Sequence, residues 1–119
     1  MVTIEYCYRD GDNYKQWAKA HYQGTLTDEQ IAAIRSVLDE EEYFIPEQVG
    51  MDDLQERWPS FPTDSDHVWH EIQEDAITVT ADDPDDELEE ASVLFDAFMK
   101  IKETGWDIDG AMQRLGITI

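Results

Sequence analysis

The sequence predicts an α+β fold, a small antiparallel sheet of two hairpins packed with two or three helices, in one domain spanning residues 1–119. Three observations carry that expectation. Residues 2–8 form a β-branched and aromatic run, closed by the turn chemistry of Arg9-Asp10-Gly11-Asp12-Asn13. Ile31, Ile34, Val37 and Leu38 recur at helical spacing just after Thr27 and Gln30, the two members of a capping box. Leu88, Ala91, Leu94, Phe95, Phe98 and Ile101 make a longer helical stripe, with Lys100 and Lys102 near its end and Gly105 as its stop.

The elements follow in order. Residues 2–8 are a strand. In residues 14–23, Ala18, Ala20 and Tyr22 alternate with Lys19 and His21, which favours a second strand hairpinned to the first over a helix. Residues 28–39 form an amphipathic helix. Tyr43-Phe44-Ile45 is a short extended segment that Pro46 confines to a sheet edge or terminates. Residues 50–66 are mostly loop, in which Trp58-Pro59-Ser60-Phe61-Pro62 is stiffened by its prolines and packs over the core. Residues 67–72 and 76–80 read as strands joined by Gln73-Glu74-Asp75, a second hairpin. Residues 85–104 are expected to be the longest helix, burying Leu88, Leu94, Phe95 and Phe98. A last short helix, capped by Asp107 and closed near Gly116, packs Ala111, Met112 and Leu115.

Composition excludes several classes. The 119 residues are 41% hydrophobic, with four Trp, five Tyr and four Phe spread along the chain, so the hydrophobicity deficit of disorder is absent. No run of 18 apolar residues occurs and residues 1–10 lack the pattern of a secretion signal, so a cytoplasmic protein with no membrane contact is expected. The single Cys7, set in an apolar run, reads as a buried, inert thiol.

Charge is the extreme quantity. Residues 1–38 hold five acids and four bases, residues 39–96 hold 21 acids against Arg57 alone, and residues 97–119 hold three of each, giving −1, −20 and 0 toward the net −21. Acids serving general solvation would be spread over the whole chain. Asp85, Asp86, Glu87, Glu89 and Glu90 suit the N-terminal end of the long helix, where the macrodipole favours anions. Asp39-Glu40-Glu41-Glu42 sits at the opposite kind of position, the C-terminal end of the first helix, where dipole and mutual repulsion both oppose it. Glu47, Asp52, Asp53, Glu56, Asp64 and Asp66 continue the charge through the loop, and Asp82 and Asp83 precede the long helix. These twelve carboxylates, from Asp39 to Asp83, are the candidate partner-binding residues.

About 20 charges equal roughly one turn, 34 Å, of duplex DNA, whose charge spacing is about 1.7 Å of axis. A domain of this length is about 35 Å across. The acidic segment is therefore matched to a positively charged protein surface, in particular one that handles nucleic acid, and unsuited to binding nucleic acid directly.

Signatures of chemistry are missing. Asp66-His67-Val68-Trp69-His70-Glu71 gathers histidines and carboxylates, but residues three apart in a strand face opposite ways, so His67 and His70 are not expected to share a metal. Neither Asp10-Gly11-Asp12 nor Asp107-Ile108-Asp109-Gly110 completes a calcium loop, and no phosphate-binding glycine motif or nucleophile elbow occurs. No enzyme activity, cofactor or metal is expected.

In Tyr8-Arg9-Asp10 with Asn13-Tyr14-Lys15, Glu42-Tyr43-Phe44-Ile45-Pro46-Glu47-Gln48-Val49-Gly50, and His67-Val68-Trp69-His70-Glu71, the chain resembles a small uncharacterised bacterial family over about its first 75 residues. No functional residue transfers with that resemblance. In size and charge it is similar to the DNA-mimic inhibitors of phages and mobile elements, of the anti-CRISPR and anti-restriction type. That likeness implies a binder that blocks a nucleic-acid-handling complex. The alternatives are an immunity protein or antitoxin capping a basic nuclease toxin, and a housekeeping protein using His67, His70 and Glu71.

Overall fold

A computed structural model describes residues 1–59, 61–63, 66–81 and 88–117. The N-terminal run forms β1 (Val2–Arg9), which pairs antiparallel with β2 (Lys15–Tyr22) in unbroken register from Val2 opposite Tyr22 to Arg9 opposite Lys15. Asp10 shapes the reversal, its Oδ1 accepting the backbone N–H groups of Asp12 and Tyr14, while Asn13 takes a left-handed φ of 69° that asparagine tolerates. In β1, Val2, Ile4, Tyr6 and Tyr8 point into the main core, and Thr3, Glu5, Cys7 and Arg9 point to the sheet's other face.

The capping box starts α1 (Asp28–Val37): Thr27 Oγ1 accepts the Gln30 N–H at 3.1 Å, and Gln30 Oε1 accepts the Thr27 N–H at 2.9 Å. Leu38 turns extended, so Asp39 lies beyond the helix rather than within it. β3 (Tyr43–Phe44), β4 (His70–Glu71) and β5 (Ile77–Val79) complete a five-stranded antiparallel sheet in the order β2-β1-β4-β3, with β5 also on β1. As expected for a segment before proline, β3 is an edge strand.

The expected second hairpin does not form. β4 and β5 do not pair with each other; both pair with β1, Glu71 opposite Cys7 and Ile77 to Val79 opposite Ile4 to Val2. The eight-residue edge of β1 is long enough to take two short strands end to end, and the 73–75 segment is an offset between them rather than a reversal.

Among the described residues three α-helices join this sheet, giving an α+β fold. The long one, α2 (Ala91–Thr104), starts later than its stripe suggested. Residues 85–87 lie outside the described residues. Residues 89–91 are held extended by β2's last neighbour, the Gln23 N–H donating to Glu89 O at 3.0 Å and the Ala91 N–H to Gln23 O at 2.9 Å. Counting from Ala91 puts Ala91, Leu94 and Phe98 on the buried line, while Leu88 and Phe95, expected in the core, are only half-buried. No acidic residue stands in the helix's first turn, so the dipole accounts for Glu89 and Glu90 at most. The last helix, α3 (Ile108–Leu115), is capped by Asp107 Oδ1 on the Gly110 N–H and closed by Gly116 at φ 72°. Its Ala111 and Leu115 form a second small core with Ile45 and Val68. No helix among the described residues is long and apolar enough to cross a membrane.

Candidate functional site

The acidic tetrad folds into a tight reversal between α1 and β3. Asp39 and Tyr43 exchange backbone hydrogen bonds of 2.8 and 2.9 Å, and the Glu42 N–H donates to Asp39 O at 3.1 Å. Closing the chain this tightly sets Glu40 at φ 53° and Glu41 at φ 62°. Left-handed values at both central positions are the mark of a type I′ turn, whose preferred residues are Asn and Gly. Side chains with a Cβ adopt that region at a cost of about 1–2 kcal/mol each. The protein thus holds two adjacent glutamates in a conformation that their own backbones oppose, within a run of four like charges.

The turn forms one wall of an open groove of about 760 Å3. Glu40, Glu41 and Glu42 face Gln73, Glu74 and Asp75 from the β4–β5 connection, with Ala32, Arg35 and Ser36 of α1 along the floor. Arg35 is the one cation lining it among the described residues; its Nη2 donates to Ile72 O at 3.3 Å, and its buried Nη1 makes no hydrogen bond. Five carboxylates therefore border a groove with a single counter-charge. The Glu42 carboxyl is held above its ordinary range by desolvation and by the neighbouring Glu71, with which it shares a hydrogen bond.

Glu74 and Asp75 were not among the expected partner residues, since they read as ordinary turn polarity. The detectable signal was charge context, because no base stands within ten positions on either side of them.

The other carboxylates go to different places. Arg114 of α3 gathers two of them, its Nη1 2.7 Å from Asp53 Oδ2 and its Nε 3.4 Å from Glu47 Oε2. The Asp53 side chain is only 4% exposed, and its Oδ1 has no hydrogen-bond partner. Asp66 is structural: Oδ1 accepts the Tyr8 hydroxyl at 2.6 Å and Oδ2 accepts the Thr63 N–H at 2.8 Å. Burial and this hydrogen bond push the Tyr8 phenol up. Asp39, Asp52 and Glu56 are exposed. Asp64, Asp82 and Asp83 lie outside the described residues.

The histidine cluster is spent on the fold. His70 is fully buried; its Nε2 accepts the Leu54 N–H at 3.0 Å and its Nδ1 faces Val68 O at 3.4 Å. Desolvation lowers its pKa to about 3, so at neutral pH it is an uncharged ring. His67 lies before β4, its Nδ1 accepting the Trp69 N–H and its Nε2 bonded to Arg9 O at 2.7 Å. Glu71 pairs with Arg9 at 3.1 Å. These three side chains do not converge. Among the described residues no three His, Cys, Asp or Glu side chains are placed to hold a metal ion. Cys7 is buried on the sheet's outer face, and its thiol is pushed up to about 11, chiefly by desolvation and next by Glu71, so it is protonated at neutral pH.

Comparison with known proteins found no matching family model, no matching curated protein and no matching solved structure.

Proposed function

We propose that this protein is a non-enzymatic acidic binder that occupies the cationic surface of a nucleic-acid-handling protein by imitating phosphate charge, in the manner of an anti-CRISPR or anti-restriction inhibitor. One observation carries the reading: Glu40 and Glu41 are kept in left-handed backbone, beside Glu42 and opposite Glu74 and Asp75, where both conformation and repulsion oppose them. Stability alone would favour Asn and Gly there. A retained cost of this kind is expected where the charges themselves are used. The long axis of 42 Å spans the length over which duplex DNA presents about 25 phosphate charges, so the molecule is of a size to fill one groove. Glu47, Asp53 and Asp66 have partners inside the molecule, which leaves the groove, with exposed Asp39, Asp52 and Glu56, as the field a basic partner meets.

The test compares the unmodified protein with the variant Glu40→Gln, Glu41→Gln, Glu74→Gln, Asp75→Asn. Partners are captured from bacterial lysate at low salt, and the affinity of the main one is measured at several salt concentrations, with and without duplex DNA as competitor. The expected results are steep loss of binding with salt, competition by DNA, and at least tenfold weaker binding by the variant. Binding that is indifferent to salt and unchanged in the variant refutes the proposal.

A further inference from the structure

β2 is the outermost strand of the sheet, and the direction of its backbone groups follows from four contacts. The Asp10 N–H donates to Tyr14 O across the hairpin, so the even-numbered residues of β2 bond to β1. The Glu5 N–H leaves β1 on the other side, toward Ala76 O. Arg57 Nη1 reaches Trp17 O from outside at 3.4 Å, and Gln23 bonds outward to Glu89 and Ala91. Lys15, Trp17, Lys19 and His21 therefore direct their N–H and C=O groups away from β1. Among the described residues, strand-like pairing closes this edge only at Gln23, and from Lys15 to His21 the one group that meets it is the long Arg57 contact.

The edge also lies in an unusual charge environment. Residues 13–27 contain no acid, the longest such stretch in a chain with 29 of them. Trp17 is 47% exposed and Tyr14 67% exposed in the same region. A molecule of net charge −21 repels its own copies over most of its surface, and β2 is where two copies can approach with least repulsion.

We propose that β2 is a self-association surface, on which a second copy of this chain adds its own β2 antiparallel about a two-fold axis to make one continuous ten-stranded sheet. Register follows from the side chains. Outward backbone groups must meet outward groups, so odd residues pair with odd ones. An axis at Trp17 sets Lys15 against Lys19 of the second copy, and an axis at Lys19 sets lysine against lysine; both place like charges directly opposite. An axis at Ala18 pairs Trp17 with Lys19 and Lys15 with His21, twice each by symmetry. Each Trp17 ring then lies beside an ammonium group, a cation–π arrangement. The edge lysines, which ordinarily deter pairing, here exclude the registers that set lysine against lysine, and the axis at Ala18 is the one that pairs all four outward residues from Lys15 to His21. A two-strand contact is small against the roughly 1,200–2,000 Å2 of a stable interface, so the dimer is weak, with a Kd on the order of 100 μM.

Sedimentation velocity and amide hydrogen exchange on the full chain test this. With rising concentration the sedimentation coefficient should move from monomer to dimer, and the amides of Trp17, Lys19 and His21 should gain protection while those of Gln16, Ala18 and Ala20 do not change. Raising salt from about 10 mM to about 1 M should tighten the dimer, because screening removes the repulsion between two anions. Lys19→Pro removes an outward N–H without touching the β1 ladder, and Trp17→Lys places like charges opposite each other; each should weaken the dimer at least tenfold while the circular dichroism is unchanged. Lys19→Arg, which keeps the charge and the donor, should dimerise normally. A chain that stays monomeric to about 1 mM at high salt, whatever foreign strand it accepts, overturns the proposal. So does a dimer equally stable in Lys19→Pro and Trp17→Lys, or one that protects amides elsewhere.

Discussion

Replacing Glu40 by Asn and Glu41 by Gly gives the turn the residues its backbone calls for, and the structure sets the size of the effect. Each left-handed glutamate costs about 1–2 kcal/mol. Glycine at 41 removes that cost, but its extra freedom in the unfolded chain takes back about 0.5–1 kcal/mol. Asparagine at 40 recovers part of the cost with little entropic loss. The net gain is about 1–2 kcal/mol, a rise in Tm of about 4–8 °C for a domain near 100 residues. A second variant, Glu40→Gln with Glu41→Gln, removes the same charges and keeps the strain. Both residues are exposed, so its gain should stay within about 0.5 kcal/mol and vanish at high salt. Thermal unfolding followed by circular dichroism, at low and high salt, separates the contributions. If the Asn-Gly variant proves no more stable than the Gln-Gln variant, the turn stores no backbone strain and the central support for a functional acidic groove is lost.

Other expected outcomes concern the residues that hold the site in place. Removing Arg114 by Arg114→Leu strands the buried Asp53 carboxylate and should cost about 2 kcal/mol, less than the about 3–5 kcal/mol of a fully buried broken pair because Arg114 is itself 35% exposed; Asp53→Asn in that background should restore part of the loss in urea melts. His70 has a folded pKa near 3, below its unfolded value of about 6.5, so the unfolded chain binds an extra proton between those values; stability is complete above pH 6.5 and should fall by about 1.4 kcal/mol per pH unit as the solution is acidified toward 3, with the His70 ring resonances showing no titration between pH 5 and 8. Glu42 has a raised folded pKa, so acidification favours its protonated folded form; Glu42→Gln should therefore raise the Tm at pH 7, with an advantage that shrinks as pH falls. Phe98→Ala, which empties a fully buried site between Phe44 and Trp106, should cost about 3–5 kcal/mol by chemical denaturation.

What could be read from the sequence was local. Thr27 and Gln30 lie three positions apart and satisfy each other's backbone groups, and the turn residues after β1 act within five positions, so neighbours alone define both. The pairing of β4 and β5 was not legible for the opposite reason. Two short strands with three polar residues between them look like a hairpin, and only the unfilled length of β1, some seventy residues away, decides that each pairs with β1 instead. The stripe of α2 was visible but its start was not, because the hydrogen bonds that hold residues 89–91 extended come from Gln23. At the site, the adverse placement of the tetrad was legible. The left-handed pair was not, since neither Glu40 nor Glu41 carries the glycine or asparagine signal by which such turns are recognised.

The distribution of the few bases explains why the acids cannot be treated as one array. With eight Lys and Arg against 29 Asp and Glu, each placement of a cation sorts the carboxylates near it. Among the described residues, ion pairs reach Glu5, Glu47, Asp53 and Glu71; none reaches Glu40, Glu41, Glu74 or Asp75. The acids with partners sit where the chain must be held together, Glu71 joining β4 to β1 and Asp53 with Glu47 fixing α3 to the segment that follows β3. Glu40, Glu41, Glu74 and Asp75, which no ion pair reaches, line one groove together. A surface made acidic only for solubility has no reason to place adjacent unpaired charges on a strained turn. Concentration there raises the local potential, which increases attraction to a basic surface and its sensitivity to salt together. Self-pairing at β2 has the opposite salt dependence, because there screening removes repulsion. Two contacts on one molecule that respond oppositely to the same ions can be told apart in a single salt titration, with the partner present and then absent.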